Sequence, residues 1–224
     1  MYLVVLDVDG TLVDSQELIL AAQREAFAAH GLAHPGHERG VSIVGLSLHE
    51  AFTALAGPNG PVEGLVQGYK TAFARLRADP AMREPLYPGA LEFLAAIGER
   101  PDIRLGIATG KSRRGVAHLV ARHGWDRVFA TIQTSDDAPS KPHPAMLLQA
   151  MAETGAAPAR SAMIGDSTYD MAMARGASVG AVGVAWGYHP PDRLAAAGAD
   201  AIVADYAALS DHIAARFKGP ISTP

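Results

Sequence analysis

Short apolar runs recur along the chain, and each ends in polar residues. Such runs are typical of strands buried on both faces of a parallel sheet, because these strands have no solvent-facing side. Six runs predict strands, at residues 3–6, 103–108, 128–132, 162–164, 179–184 and 201–203. Between the later runs lie segments with helical spacing, at 112–123, 144–154, 167–175 and 191–197, several of them followed by glycine. This alternation predicts a doubly wound, Rossmann-like α/β fold with a parallel sheet.

The stretch from residue 15 to residue 87 interrupts this alternation. It contains no convincing strand, and helical segments at 16–30, 47–56 and 62–77 are separated by breaks rich in glycine and proline. Pro85, Pro88 and Gly89 indicate the return to the alternating pattern. We therefore expect a core of residues 1–14 and 88–224, with a small α-helical cap of residues 15–87 inserted after the first strand.

Composition and charge narrow the class of protein. The 224 residues carry a net charge of −4 and include no cysteine, which excludes disulfides and thiolate metal sites. The longest basic cluster is residues 111–114, so nucleic acid is not an expected partner. No stretch approaches a membrane span, and the first apolar run is far too short for a signal peptide. We expect a cytoplasmic protein without a membrane partner; monomer and homodimer are both left open.

The candidate chemistry lies directly after the predicted strands. In a parallel α/β sheet, ligands bind beyond the carboxyl ends of the strands, where the strand order reverses. The polar residues at these ends are Asp7, Asp9 and Thr11, then Thr109, Gly110 and Lys111, then Lys141, and finally Asp166, Ser167 and Asp170. Carboxylates, hydroxyls and lysines from separate parts of the chain are thus expected at one edge of the sheet.

This set of groups suits phosphoryl transfer. A phosphomonoester dianion repels an anionic nucleophile until its charge is neutralised, and Mg²⁺ bound by one or two carboxylates, with Asp166 supplying metal charge and Asp170 in support, would neutralise it. Asp7 can attack phosphorus and form an aspartyl phosphate. Asp9 can protonate the leaving oxygen and later deprotonate the attacking water.

Other residues at this edge are candidates for binding phosphate. Gly10 lets the backbone turn beside the phosphate, where free N–H groups can hold its oxygens. Thr109 can donate a hydrogen bond, and Lys141 can supply a positive charge, to the equatorial oxygens of the transition state. We expect Ser167 to be a helix N-cap and Asp170 to support the site without binding the ion directly.

Four segments resemble the motifs of the haloacid dehalogenase superfamily in its phosphatase branch. They are DVDGTLVDS at 7–15, IATG at 107–110, KPHP at 141–144 and IGDSTYDM at 164–171. The segments follow the family's order and span nearly the whole core. The cap also lies where the family carries its helical insert. Residues 43–46 and 183–188 are similar to the phosphoglycolate phosphatase-like group.

The resemblance implies a role for each motif residue. Asp7 would be the nucleophile and Asp9 the acid and base, and Mg²⁺ would be held by Asp7, Asp166 and the backbone carbonyl of Asp9. The remaining residues would bind phosphate (Gly10, Thr109, Gly110 and Lys141) or support the site (Thr11, Ser167 and Asp170). Ser167 stands where threonine is common in the group. The implied partner is a small phosphorylated metabolite, with 2-phosphoglycolate as the best single guess.

Other functions fit parts of this pattern. A sugar-phosphate mutase would use the same nucleophile, acid and metal, and no residue excludes it. Dehalogenation has no use for magnesium or for Asp9, and phosphonate-cleaving relatives carry a small uncharged residue at that position. A non-catalytic binding protein would be expected to have lost a motif residue, and none is lost. A calcium loop would need glycine at Leu12 and glutamate at Leu18.

The cap is expected to choose the substrate. Its basic side chains at Arg39, His49, Lys70 and Arg75 could reach an acidic substrate, although most such residues on helices face solvent.

Overall fold

The computed structural model describes residues 1–79, 81–82 and 84–218. The strands in these residues are β1 (Tyr2–Leu6), β2 (Ile103–Thr109), β3 (Phe129–Thr134), β4 (Ser161–Gly165), β5 (Gly180–Val184) and β6 (Ala201–Val203). The α-helices are α1 (Gln16–Ala29), α2 (His37–Ser42), α3 (Leu48–Ala56), α4 (Val62–Arg77), α5 (Ala90–Gly98), α6 (Arg113–His123), α7 (Ala145–Thr154), α8 (Thr168–Gly176), α9 (Pro191–Ala196) and α10 (Tyr206–Arg216). A short 3₁₀ helix, Pro158–Arg160, precedes β4.

The six strands form one sheet in the order β3-β2-β1-β4-β5-β6, and every pairing is parallel. The prediction of a doubly wound parallel sheet is therefore confirmed. The chain starts at the centre, builds outwards through β2 and β3, and then returns to β4 on the other side of β1. The strand order reverses between β1 and β4, which is where such sheets bind ligands.

Strand β1 shows why the buried strands lack polar alternation. Val4 and Leu6 pack in an apolar cluster with residues of α5, α6 and α10 on one face of the sheet. Leu3 and Val5 pack in a second cluster with residues of α7 and α8 on the other face. Because helices cover both faces, both sets of side chains must be apolar, as the sequence pattern predicted.

The cap contains α1 to α4, which follow one another between β1 and β2. These helices pack around an apolar cluster of their own, which includes Ile19, Phe27, Phe52 and Leu65. The described part of residues 15–87 contains isolated bridges but no strand, as expected. The domain bounds at residues 14/15 and 87/88 stay a prediction.

Two helices were missed by the sequence analysis. Helix α2 has six residues, of which only Gly40 and Val41 are buried, so it is too short to show a helical period. Helix α5 is apolar at most positions, which hides the period. The expected glycine past the helix end is found at Gly124 and Gly155, both with positive φ. At α8 this expectation was wrong, because Gly176 is the last helical residue.

No α-helix in the described ranges combines the length and the apolar character that crossing a lipid bilayer requires.

Candidate active site

Asp7 and Asp166 lie side by side because β1 and β4 are neighbours in the sheet. Leu6 pairs with Ile164, and the amide of Asp7 donates to the carbonyl of Ile164 at 2.9 Å. Each aspartate therefore follows its strand at the same edge. Asp170 lies one turn into α8, and one carboxylate oxygen from each of these three aspartates lies within 4.8 Å of the others. All three side chains are buried.

Lys141 is the counter-charge within this cluster. Its Nζ lies 2.9 Å from Oδ2 of Asp7 and 2.6 Å from Oδ1 of Asp170, and its side chain has no exposed surface. Three carboxylates and one ammonium leave a buried net charge of −2 when all are ionised. Buried charge without compensation is costly, so the cluster favours a bound divalent cation.

The pKa shifts follow from this burial. Burial raises the pKa of Asp7 to about 7, although the Lys141 charge acts against the rise and Asp170 adds to it. Burial and the neighbouring carboxylates of Asp170 and Asp7 also raise the pKa of Asp166. Burial by itself would lower the pKa of Lys141, but Asp170 and Asp7 raise it above its usual value.

The donor set fits Mg²⁺. The three side chains of the cluster offer carboxylate oxygens, which are ligands that this hard cation prefers, and the excess of negative charge matches a divalent ion. Asp7 and Asp166 would hold the ion. Asp170 remains the expected supporting residue, with Oδ1 on Lys141 and Oδ2 on the amide of Ser167 at the start of α8.

One backbone amide and one hydroxyl fix the orientation of Asp166. Its Oδ2 accepts from the amide of Tyr188 at 2.8 Å, and its Oδ1 accepts from Oγ1 of Thr11 at 3.1 Å. Gly10 has a φ of +84°, and a side chain there would overlap the Asp166 carboxylate. A side chain at Gly187 would overlap the same aspartate. The two glycines let the loops after β1 and β5 close around this residue.

Helix α8 begins at the site with a capping box. Oγ of Ser167 accepts from the amide of Asp170 at 3.2 Å, and Oδ2 of Asp170 accepts from the amide of Ser167 at 3.1 Å. The predicted N-cap role of Ser167 is found. Asp170 thus fixes the start of the helix with one oxygen and holds Lys141 with the other.

Thr109 and Gly110 lie at the end of β2, beside the same edge. Thr109 is buried, and its Oγ1 accepts from the amide of Lys111 at 3.2 Å. A Cβ at Gly110 would lie 2.5 Å from the carbonyl oxygen of Gly45 in the cap. The close contact between cap and core therefore leaves no room for a side chain at residue 110. This need for glycine is separate from any contact of the Gly110 backbone with phosphate.

A cavity of about 490 Å³ separates the cap from this edge of the sheet. Asp7, Asp9, Thr109, Gly110 and Lys111 line it from the core, and apolar and aromatic cap residues line it from the other side. Of the basic cap residues predicted to reach a substrate, His49 and Lys70 line the cavity. The other two bind within the cap: Arg39 donates to the carbonyl of Ala54, and Arg75 pairs with Glu25.

Asp9 lies in a network that the sequence analysis missed. Its Oδ1 accepts from Oγ of Ser15 at 2.5 Å and from Nζ of Lys111 at 2.8 Å. Lys111 also pairs with Oε1 of Glu84 at 3.2 Å and lies over the ring of Phe73 at 5.2 Å. Lys111 lies just after β2, and this position had already included it among the polar residues expected at the strand ends. Glu84 follows no strand and belongs to no motif, so nothing in the sequence distinguished it.

Comparisons with known proteins agree with this fold and site. The profile of the haloacid dehalogenase-like hydrolase family matches residues 4–184. A protein of Dickeya dadantii named "Probable phosphatase IndB" is 36% identical over 207 residues, covering 90% of this chain and 88% of that protein. A phosphoglycolate phosphatase of Nitrosococcus oceani is 33% identical over 192 residues, covering 84% and 85% of the two chains.

A solved structure from Bacteroides fragilis, described as a haloacid dehalogenase-like hydrolase, superimposes with a TM-score of 0.81 at 29% identity. The match covers 91% of this chain and 96% of that one. The family profile, the phosphatase relatives and the shared fold lead to one conclusion. The chain belongs to the haloacid dehalogenase-like hydrolases and is a phosphoric monoester hydrolase of the phosphoglycolate phosphatase-like type.

Proposed function

We propose that this phosphatase is Mg²⁺-dependent and hydrolyses a small phosphomonoester through an aspartyl phosphate on Asp7. The observation that carries the proposal is the buried cluster of three carboxylates and Lys141, which has a net charge of −2 when all are ionised and reaches the cavity under the cap through Asp7. The name of the Nitrosococcus oceani relative makes 2-phosphoglycolate the first compound to test as a substrate.

The contacts of Asp7 prepare it to be a nucleophile. Oδ1 accepts from the amide of Val8 at 2.7 Å, and Oδ2 lies against Lys141, so both oxygens of the carboxylate are fixed beside the cavity. A bound Mg²⁺ would neutralise substrate charge at this point. One oxygen of Asp7 would attack phosphorus while the bond from phosphorus to the ester oxygen breaks.

Asp9 is placed for the proton transfers. It lines the cavity two residues after Asp7, with Oδ1 held by Ser15 and Lys111. In the first step it would give a proton to the leaving oxygen, so that an alcohol departs. In the second step it would take a proton from water, whose oxygen attacks phosphorus and releases phosphate and the free carboxylate of Asp7. Lys141 and Thr109 would stabilise the equatorial oxygens in both steps.

Asp7→Asn tests the proposal. The amide is the same size as the carboxylate but is not a nucleophile, so we expect turnover to disappear while far-UV circular dichroism stays that of the wild type. Phosphate release from a panel of about a hundred phosphomonoesters is the measurement. Release without added bisphosphate would distinguish hydrolysis from mutase chemistry. Undiminished phosphatase activity in Asp7→Asn would refute the nucleophile.

A further inference from the structure

Lys111 is a buried cation shared by two carboxylates. Its side chain is 7% exposed, and its Nζ lies 2.8 Å from Oδ1 of Asp9 and 3.2 Å from Oε1 of Glu84. Burial by itself would lower the pKa of Lys111, but Asp9 and Glu84 raise it, so the ammonium stays charged. The three groups together carry a net charge of −1 when all are ionised.

Glu84 is buried with one carboxylate oxygen on Lys111 and the other unpaired in the part of the chain that the structure describes. Its side chain is 1% exposed, and within the described residues its Oε2 has no hydrogen-bond partner. Glu84 does not line the cavity, whereas Lys111 and Asp9 do. A substrate would therefore contact the Lys111 ammonium, while Glu84 lies behind it and acts through its charge.

Lys111 would lie beside the part of the substrate that is attached to the ester oxygen. Asp9 would protonate the ester oxygen, so the atoms attached to that oxygen must lie beside Asp9. Lys111 is in direct contact with Asp9 and would lie within reach of those atoms. When Asp9 carries the proton for the leaving oxygen, Glu84 is the one charged partner of Lys111 among the described residues; without Glu84 the ammonium would have a full positive charge and could hold a substrate carboxylate there. With Glu84 that charge is cancelled, but the ammonium still has an N–H that can donate to a neutral oxygen.

We propose that Glu84 is a specificity-determining residue that cancels the charge of Lys111 and selects phosphomonoesters with an uncharged polar group, such as a hydroxyl, next to the ester oxygen. This inference rests on the proposed function and ranks 2-phosphoglycolate below uncharged esters of the same length. The chemistry at Asp7 does not depend on it.

Cations at the rim do not offset this effect. Lys70, Arg77 and Arg114 also line the cavity, and in the described residues none of them is paired with a carboxylate. Lys70 and Arg114 are exposed, so water and salt screen their charges. Arg77 is half-buried and lies over the ring of Phe73 at 5.6 Å, whereas the charges of Lys111 and Glu84 are buried beside Asp9. An acidic group on the substrate is therefore better tolerated at the rim than beside the ester oxygen.

Two matched substrates test the proposal: 2-phosphoglycolate and 2-hydroxyethyl phosphate. Both release a primary alcohol, and they differ in a carboxylate against a neutral hydroxymethyl group. The quantity to measure is the ratio of kcat/KM for 2-phosphoglycolate to that for 2-hydroxyethyl phosphate. Glu84→Gln keeps the shape of the side chain and removes its charge. We expect this variant to raise the ratio about tenfold or more, since one buried unit charge acts strongly at short range.

Two variants are controls. Glu25→Gln makes the same change at an exposed carboxylate paired with Arg75 and should leave the ratio unchanged. Glu84→Asp keeps the charge and should keep the ratio low. An equal loss of kcat/KM for both substrates in Glu84→Gln would show that Glu84 is only structural, and would overturn the inference.

If Glu84→Gln does not fold, as judged by circular dichroism, the ratio of kcat/KM for the two substrates in the wild type tests the proposal instead. A value above about ten, which corresponds to about 1.4 kcal/mol in favour of the carboxylate, would contradict the proposal; a value of one or below would support it. A different result would contradict the proposed function. It fails if no phosphomonoester, p-nitrophenyl phosphate included, gives phosphate release that Asp7→Asn abolishes.

Discussion

The ammonium of Lys141 lies 2.9 Å from Oδ2 of Asp7, with both side chains buried. Lys141 lies in the segment between β3 and α7, and Asp7 directly follows β1, so this ion pair joins the regions after two strands that are not neighbours in the sheet. Asp170 binds the same ammonium at 2.6 Å and ties α8 to it. Lys141 therefore holds together three separate parts of the site, and its removal should affect stability as well as turnover.

Lys141→Met should destabilise the protein strongly. The substitution leaves the carboxylates of Asp7 and Asp170 buried without their cation, and breaking a buried pair from one side costs about 3–5 kcal/mol. The free energy of unfolding, measured with urea at pH 7 in EDTA, should fall by roughly this amount, and phosphatase activity should be lost. Lys70→Met removes an exposed lysine and should change stability by about 0.5 kcal/mol or less. Equal stability of the two variants would contradict the role of Lys141.

The metal-free protein should lose stability as the pH rises towards 7. Burial raises the pKa of Asp7 to about 7, so the folded state keeps a proton that the unfolded chain has already released. This stabilisation is complete below the unfolded pKa near 4 and disappears as the pH passes about 7. The slope is at most about 1.4 kcal/mol per pH unit for this proton. Urea unfolding in EDTA from pH 5 to 7.5 measures the dependence of the unfolding free energy on pH, and Asp7→Asn should remove the share that Asp7 contributes.

Chelation should abolish activity, and Mg²⁺ should restore it. The buried charge of −2 at Asp7, Asp166, Asp170 and Lys141 favours a small divalent ion with oxygen ligands. Ca²⁺ should restore activity poorly, because its coordination is larger and looser. Mg²⁺ should also raise the Tm of the wild type by mass action, and Asp166→Asn should lose this shift. Full activity in EDTA would rule out the metal.

Asp9→Asn should be impaired most on substrates with poor leaving groups. If Asp9 protonates the ester oxygen, an alkyl phosphate needs this proton far more than p-nitrophenyl phosphate, whose leaving group is already a weak base. The expected loss in kcat is about 10²–10⁴-fold for alkyl esters and smaller for the nitrophenyl ester. The slope of log kcat/KM against leaving-group pKa should become steeper. A loss of the same size across the series would argue against acid catalysis by Asp9.

The sequence predicted the parts of the site that depend on strand ends. Asp7, Thr109 and Asp166 follow buried apolar runs directly, and parallel pairing brings such positions to one edge of the sheet. It also predicted that Lys141 belongs there, from its place some distance after the third predicted strand and from its motif. The pairing of Lys111 with Glu84 could not be predicted, because it depends on how an irregular segment after α4 folds back on the core. Local periodicity contains no information on such a contact.

Gly187→Ala should disturb the metal site through packing alone. A Cβ at this position would overlap the side chain of Asp166 and would lie 2.6 Å from the carbonyl oxygen of Gly10, so Asp166 has to move. Forcing an extra methyl into a packed site costs about 1–3 kcal/mol. The Mg²⁺ concentration for half-maximal activity should also rise, since Asp166 loses its orientation from Tyr188 and Thr11.

Gly98→Ala is the matched control, because nothing lies within 4 Å of a Cβ built there. Alanine at that last position of α5 should leave the Mg²⁺ requirement unchanged and stability equal or slightly higher. If Gly187→Ala behaved like Gly98→Ala in both measurements, Asp166 would not be the residue that this loop positions for the ion.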